Sequence, residues 1–218
     1  MTDFISVIMP MLLEGLKLTL LIAVVGILIG VVIGSLCGYA LQSRARIPKA
    51  IAEVYIWIMR ATPLMVQALW GYYVIPGIIG VDLPSTAVGI MVIALNSGAF
   101  ISEIVKGALL GIDSGQKEAA YSLGLTNIQT LIHVIIPPAF RTALPGLFNQ
   151  FIISVKDTAL LSVIAVNEIT HMAQNYAALS FNTIPTYNIL AVFYLVLLSI
   201  LIVVQKKIEK KMKRAEVI

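Results

Sequence analysis

Charged residues are scarce in this sequence: only 12% of its 218 residues are Asp, Glu, Lys or Arg, while 59% are hydrophobic. In soluble domains about a quarter of the residues are charged. The mean hydropathy of +0.96 also indicates that most of the chain avoids water. The composition therefore argues against an ordinary soluble protein, and it predicts an all-α membrane protein with several spans in a single domain, residues 1–218.

Residues for catalysis and metal binding are also few. The single Cys37 lies in an apolar run, so it can form neither an intrachain disulfide nor a cysteine-based metal site. His133 and His171 lack partners at metal-ligand spacing, and we expect no metal site and no catalytic residue. The phosphate-binding signature G-x-x-x-x-G-K-[ST] is missing, so we do not expect this chain to hydrolyse ATP.

The net charge of +4 does not indicate nucleic-acid binding. Six cations follow the last apolar segment: Lys206, Lys207, Lys210, Lys211, Lys213 and Arg214. Such a basic tail is typical of a cytoplasmic anchor that faces anionic lipid headgroups. A nucleic-acid surface would instead spread its cations over a face with interleaved aromatic residues.

The apolar segments predict about five transmembrane helices at roughly 20 residues per span. We place them near 16–41, 53–75, 85–106, 138–162 and 185–206. The first is too long for a cleaved signal peptide. The links after spans one and three are basic (Arg44, Arg46, Lys49, Lys106, Lys117 and Arg141), whereas the opposite links carry Asp82 and Glu168. The positive-inside rule then places the N-terminus outside and the C-terminus in the cytoplasm.

Small residues and prolines predict where the spans pack and bend. Span one repeats glycine every four residues, at Gly26, Gly30, Gly34 and Gly38. Such a stripe lets a second helix approach the backbone closely. Pro63 and Pro145 fall inside spans two and four and predict kinks, which suit either a gating helix or a static bend.

The longest link, residues 107–137, is predicted to form a helical hairpin on the cytoplasmic side. Capping residues mark its two helices: Asp113 with Gln116 and Thr126 with Gln129 at the starts, then Gly124, Pro137 and Pro138 at the ends. The second helix is expected to stop before the two prolines. A structured hairpin in a chain made mostly of spans indicates a docking element.

The hairpin carries a motif. Residues 118–124 read E-A-A-Y-S-L-G, and residues 134–137 read V-I-I-P. This pattern closely resembles the EAA loop of ABC importer permeases of the type I fold, which implies that Glu118, Ala119, Ala120 and Gly124 dock an ATPase subunit. The alanines and glycine keep the helix thin enough for a partner's groove, and the acid offers one directed polar contact.

Three more stretches are similar to the polar amino acid branch of that family. They are R-A-T-P-L-M-V-Q at 60–67, N-S-G-A-F-I-S-E-I at 96–104 and N-Q-F-I-I-S-V-K-D-T-A-L at 149–160. Ala61 stands where the branch usually has glycine, and Ala159 where it has serine. The resemblance runs from about Gly15 to the end and is nearest to glutamine permeases.

Polar residues in these stretches are candidates for a substrate pathway: Arg60, Gln67, Asn96, Glu103, Asn149, Lys156 and Asp157. Ionisable groups within spans are often functional, but each candidate also has a structural interpretation. Arg60 can snorkel to headgroups, Glu103 can pair with Lys106, and amides can bond between helices. Lys156 and Asp157 point about 100° apart on a helix, so we do not assume that they pair with each other.

The resemblance also implies an assembly. It predicts two permease subunits, identical or sister chains, clamped by two ATPase subunits that bind ATP and fed by an external solute-binding protein. The substrate would be a polar L-amino acid, with glutamine as the best guess, carried across a bacterial cytoplasmic membrane by alternating access. The alternative is a secondary transporter or channel subunit, although the inverted repeats that would support it are missing. An intramembrane enzyme would need a reactive cluster.

Overall fold

The computed structural model describes residues 2–43 and 45–215, and all regular structure in this part of the chain is helical. Arg44, predicted as a cytoplasmic cation, lies outside the described residues, as do the side chains of Lys213 and Arg214. The α-helices are α1 (Thr2–Ala40), α2 (Arg46–Ala61), α3 (Leu64–Leu69), α4 (Ile75–Ile79), α5 (Ser85–Leu110), α6 (Ser114–Ser122), α7 (Asn127–Gln129), α8 (Ile136–Asp157), α9 (Ile169–Ser180) and α10 (Thr183–Ala215).

Four uninterrupted helical stretches are long and apolar enough to cross a membrane. They are Phe4–Ala40, Ser85–Leu110, Asn127–Ile164 and Thr183–Met212. They correspond to predicted spans one, three, four and five, and all four extend beyond the predicted limits at one end or both. Sequence reasoning placed the boundaries too narrowly because helices continue into the polar flanks, beyond the apolar core on which the estimate rests.

Predicted span two is discontinuous, so the expected kink at Pro63 is wrong. Helix α2 ends at Ala61, Thr62 and Pro63 are extended, and α3 begins at Leu64. The physical reason is that proline disfavours the helical conformation of the residue before it, while its own fixed φ suits the start of a new helix. The apolar segment then continues from Leu64 to Ile79. Pro145, in contrast, lies inside α8 as predicted.

Two π-helical turns carry the chain past prolines. One spans Trp70–Val74 before Pro76, and the other spans Thr130–Ile135 before Pro137. A proline ring clashes with the carbonyl four residues earlier in an α-helix. The wider turn moves the ladder to the fifth residue back, as where the Ile136 N–H donates to the carbonyl of Leu131.

The second π turn corrects a prediction about the hairpin. Its second helix does not stop before Pro137 and Pro138, but runs from α7 through the turn into α8 as one continuous rod, Asn127–Ile164. The end of α8 then tightens into a 3-10 segment, Thr158–Ile164.

Helix α5 is the central element and packs against α1, α2, α3 and α8. The predicted glycine stripe of α1 lies along it. A Cβ at Gly34 would stand 2.7 Å from the carbonyl oxygen of Gly98, and one at Gly38 would stand 2.8 Å from that of Ser102. The two backbones therefore approach as closely as small residues allow, which is how helices gain dispersion energy where no water is present to drive association.

Three apolar clusters divide the bundle along its length. One, near the hairpin, joins α5 to α8 through Ala108, Leu109, Ile135, Ala139 and Ala143. A second joins α1, α3, α5 and the 3-10 segment. The third joins α1, α10 and α9, a helix that the sequence analysis did not predict.

Candidate functional site

The predicted hairpin is built by the expected local signals. The Asp113 carboxylate caps α6 by accepting from the N–H of Gly115 at 2.8 Å. Gly124 has a φ of +80°, and the N–H of Leu125 reaches back to the carbonyl of Ala120 at 3.1 Å, which closes a Schellman motif. Thr126 and Gln129 form a reciprocal capping box.

The hairpin presents an acidic and apolar outer surface. Glu118 is exposed and forms no salt bridge with any described residue, and Ala119 beside it is also exposed. Tyr121 is half-exposed and Leu123 is 81% exposed, although both are large apolar side chains. Ala120 differs from its neighbour because it is buried within the chain. The surface formed by Glu118, Ala119, Tyr121 and Leu123 is called the hairpin face below.

Two pathway candidates, Gln67 and Asn96, meet at the break between α2 and α3. The Gln67 Nε2 donates to the carbonyl of Met59 at 2.9 Å, to the carbonyl of Thr62 at 3.1 Å and to its hydroxyl at 2.9 Å. Its Oε1 accepts from the Asn96 Nδ2 at 3.2 Å. Carbonyls at a helix C-terminus lack intrahelical partners, and the Gln67 amide supplies donors to two of them, those of Met59 and Thr62.

An apolar cavity of about 370 Å³ lies beside this amide pair. Residues from both sides of the break and from α5 line it, including Met59, Gln67, Trp70 and Met91. Gln67 and Thr62 are the residues with polar side-chain oxygen or amide groups on this otherwise apolar wall.

Two other candidates, Arg60 and Glu103, line one pocket of mixed charge. This pocket, about 480 Å³, lies between the end of α1, α2 and α5, and Glu53 and Lys106 also line it. The Arg60 guanidinium stands over the ring of Phe100 at 5.6 Å. The Lys106 Nζ lies 3.6 Å from the Glu103 Oε2, which is the pairing that the sequence spacing predicted. Both signs of charge are thus available within one cavity.

The remaining candidates, Asn149, Lys156 and Asp157, do not join either cluster. Asn149 and Lys156 are exposed on α8, and Asp157 is half-buried at the end of α8. Neither Lys156 nor Asp157 forms a salt bridge with the other or with any further described residue. Asn149 and Lys156 are therefore accessible on the surface of the single chain, whereas Asp157 is partly covered.

Glu168 is a functional candidate that the sequence analysis missed, since it was counted there only as a link charge. It lies between the 3-10 segment and α9 and is fully buried. Its Oε1 accepts from the N–H of His171 at 2.7 Å, while its Oε2 accepts from the N–H of Thr170 at 2.8 Å and from the Tyr194 hydroxyl at 3.2 Å. Burial raises the pKa of the Glu168 carboxyl, against these hydrogen bonds, which favour the charged form.

Apolar spans, a capped hairpin and a mixed-charge pocket together fit a membrane transport subunit. Residues 26–214 match the family described as binding-protein-dependent transport system inner membrane component. The chain belongs to this family, and the predicted fold class is confirmed.

Individual proteins support the same assignment. The chain is 42% identical over 207 residues to the glutamine transport system permease protein GlnP of Escherichia coli strain K12, a match that covers 94% of each. It is 32% identical over 213 residues to the arginine transport system permease protein ArtQ of Bacillus subtilis strain 168, covering 97% of each. A crystal structure of an amino acid ABC transporter with histidines superposes with a TM-score of 0.85 at 32% identity, covering 93% of this chain and 94% of that one.

Proposed function

We propose that this chain is the membrane subunit of an ATP-driven ABC importer for a polar L-amino acid, with glutamine as the first substrate to test. The hairpin carries this proposal: in a chain of this family, a rigidly capped hairpin that continues into a span offers a mechanical connection to a cytoplasmic ATPase. The names of the glutamine and arginine permeases support the substrate class.

The hairpin face is the proposed ATPase-docking site. Glu118 offers an exposed carboxylate that no described cation pairs with, and Ala119 leaves the backbone accessible, while the buried Ala120 and the positive φ of Gly124 set the shape of the hairpin. The partner subunit binds and hydrolyses ATP, since this sequence contains no phosphate-binding loop. Because α7 continues into α8, a displacement of the hairpin is transmitted to the fourth span without an intervening flexible link.

The mixed-charge pocket is the part of the proposed pathway that fits a free amino acid best. Arg60 can pair with a carboxylate, and Glu103 or Glu53 can pair with an ammonium group. Gln67 and Asn96 contribute polar groups beside the apolar cavity, and Asn149, Lys156 and Asp157 complete the set of pathway candidates from the fourth span.

The proposed assembly has two permease subunits, identical or sister chains, with two ATPases and an extracytoplasmic solute-binding protein. Each permease forms a single domain, residues 1–218, in which residues 107–137 are the coupling loop. The N-terminus lies outside the inner membrane and the basic C-terminal helix lies in the cytoplasm, near anionic lipid. ATP binding closes the ATPases and turns the cavity between the permeases outward.

The decisive experiment is purification of the chain in mild detergent from its native membrane, with identification of the copurifying subunits and assay of L-glutamine uptake in proteoliposomes. A stoichiometric ATPase and ATP-dependent uptake are the expected results. Glu118→Lys should reach the membrane but lose the ATPase, whereas Asp82→Lys, an equal charge change at an exposed position on a different link, should retain it. Solute transport by the chain alone, without ATP, would favour a secondary transporter or channel instead.

A further inference from the structure

The link around Glu168 ties three helices together. Glu168 caps α9, and the Tyr194 hydroxyl of α10 reaches both the Glu168 carboxylate at 3.2 Å and the Thr170 hydroxyl at 3.1 Å. Helix α1 is the third helix in contact with this link, because the Thr19 hydroxyl accepts from the N–H of Ile169 at 3.4 Å. The set Glu168, Thr170, Tyr194 and Thr19 is called the clasp.

The choice of side chains indicates more than ordinary helix capping. Asp, Asn, Ser and Thr are the usual N-cap residues, because their short side chains reach the first N–H groups. Glutamate has a longer side chain, and here it accepts from two backbone N–H groups and from a second helix. A fully buried carboxylate is unfavourable unless its hydrogen bonds are satisfied, so this arrangement depends on α10 staying in place.

The chain between the pathway candidates and the clasp has little freedom. After Asp157 it forms the 3-10 segment, in which Leu161 and Ile164 are fully buried. Ala165 then has a φ of +56°, a left-handed conformation that non-glycine residues adopt only when their surroundings enforce it. The Glu168 N–H also donates to the carbonyl of Val166 at 2.7 Å. A movement of Glu168 would therefore be passed back to the end of α8.

We propose that Glu168 is a positioning residue for transport: by joining α9 to α1 and α10, the clasp fixes the outer end of the segment that carries Lys156 and Asp157. This inference rests on the proposed function, in which those two residues belong to the substrate pathway. Loss of the clasp leaves the ATPase docked at the hairpin but lets the pathway end of α8 shift, so ATP is hydrolysed without matching transport.

The test uses the complete importer in proteoliposomes, with Tyr194→Phe and Glu168→Gln as variants. Tyr194→Phe removes one hydroxyl and keeps the helix cap, so it should assemble even if Glu168→Gln does not. The control is Tyr187→Phe, the same change at an exposed position on α10. The readout is ATP hydrolysed per L-glutamine imported, because a defect in folding alone lowers both rates together and leaves this ratio unchanged.

A second readout follows the link directly. Val166 is fully buried, and Ala139 is buried near the hairpin. In a Cys37→Ala background, maleimide labelling of Val166→Cys should rise about tenfold on adding Tyr194→Phe, the effect of losing one partly buried hydrogen bond. Labelling of Ala139→Cys should not change, because that site lies outside the clasp.

The inference predicts a several-fold rise in ATP per glutamine for Tyr194→Phe and none for Tyr187→Phe. An unchanged ratio together with unchanged Val166→Cys labelling would overturn it while leaving the importer assignment intact. If the unaltered complex hydrolyses ATP but imports neither glutamine nor arginine, the proposed function fails. The positioning role then fails with it, even if the labelling of Val166→Cys changes as expected.

Discussion

Glu118 and Glu168 are the same residue type at opposite ends of the fourth span, and their surroundings differ sharply. Glu118 is exposed on the hairpin face and forms no salt bridge with any described residue. Glu168 is fully buried and accepts three hydrogen bonds. Helix α8, which lies between the two regions along the chain, is 22 residues long, or about 33 Å.

This difference indicates that the fold depends on the Glu168 carboxylate as a hydrogen-bond acceptor, whereas the Glu118 carboxylate is available to a partner. Removing an exposed, unpaired group alters little inside the chain, whereas removing a buried acceptor strands every donor that pointed at it. We therefore expect Glu168 to matter for folding and positioning, and Glu118 to matter for a partner. Each prediction below compares one residue from the clasp region with one from the hairpin.

The largest effect is expected from replacing the carboxylates by leucine. Glu168→Leu leaves the N–H groups of Thr170 and His171 and the Tyr194 hydroxyl without an acceptor, and it should lower the free energy of unfolding by at least about 3 kcal/mol. Glu118→Leu should change it by less than about 0.5 kcal/mol. Thermal unfolding in detergent measures both, and equal losses in the two variants would contradict the comparison.

Glycines in the two regions should show a smaller contrast. A Cβ at Gly15 would stand 2.8 Å from the Ile169 Cα, a backbone atom that cannot turn aside, so Gly15→Ala should lower stability by up to about 3 kcal/mol. A Cβ at Gly124 would meet no neighbouring atom, but the backbone there has a φ of +80°. Gly124→Ala should therefore lower the free energy of unfolding by about 1 kcal/mol, because alanine is strained in the left-handed region.

The matched control for the glycine pair is Gly77, in α4, where an added Cβ has nothing within 4 Å. Gly77→Ala should leave the unfolding temperature unchanged or raise it slightly, because alanine loses less backbone freedom in a helix. If Gly77→Ala lowered the unfolding temperature as much as Gly15→Ala, the effect at Gly15 would reflect the loss of glycine in general rather than contact with α9.

The two regions also differ in how far the sequence could predict them. The hairpin follows from local signals: Asp113, Gly124 and the Thr126–Gln129 pair act within a few residues, and each appears where the pattern placed it. The clasp joins residues 19, 168 and 194 along the chain, and no spacing rule connects positions so far apart.

The two other features that the sequence analysis predicted incorrectly both involve prolines. Pro63 was expected to kink a helix, but α2 ends before it because proline disfavours the helical conformation of the preceding residue. Pro137 was expected to stop a helix, but a π turn carries the chain past it. At Pro63 the Gln67 side chain serves the exposed carbonyls of Met59 and Thr62. At Pro137 the partner is local, since the Ile136 N–H donates to the carbonyl of Leu131, five residues back. A proline in the sequence therefore does not by itself determine whether the helix bends, ends or widens.

The smallest effect on stability is expected at Leu123, which is 81% exposed on the hairpin face. Leu123→Ala removes little buried surface, so the unfolding temperature should stay unchanged. If this side chain fills a pocket of the ATPase, truncation should weaken binding about tenfold, in the range of an interface hot spot. The measurement is a titration of the purified permease with the ATPase subunit. The control is Ile184→Ala, which truncates an exposed aliphatic side chain of the same size beyond α9 and should leave binding unchanged. If both variants weakened binding equally, the loss would reflect exposed apolar surface in general rather than the hairpin face.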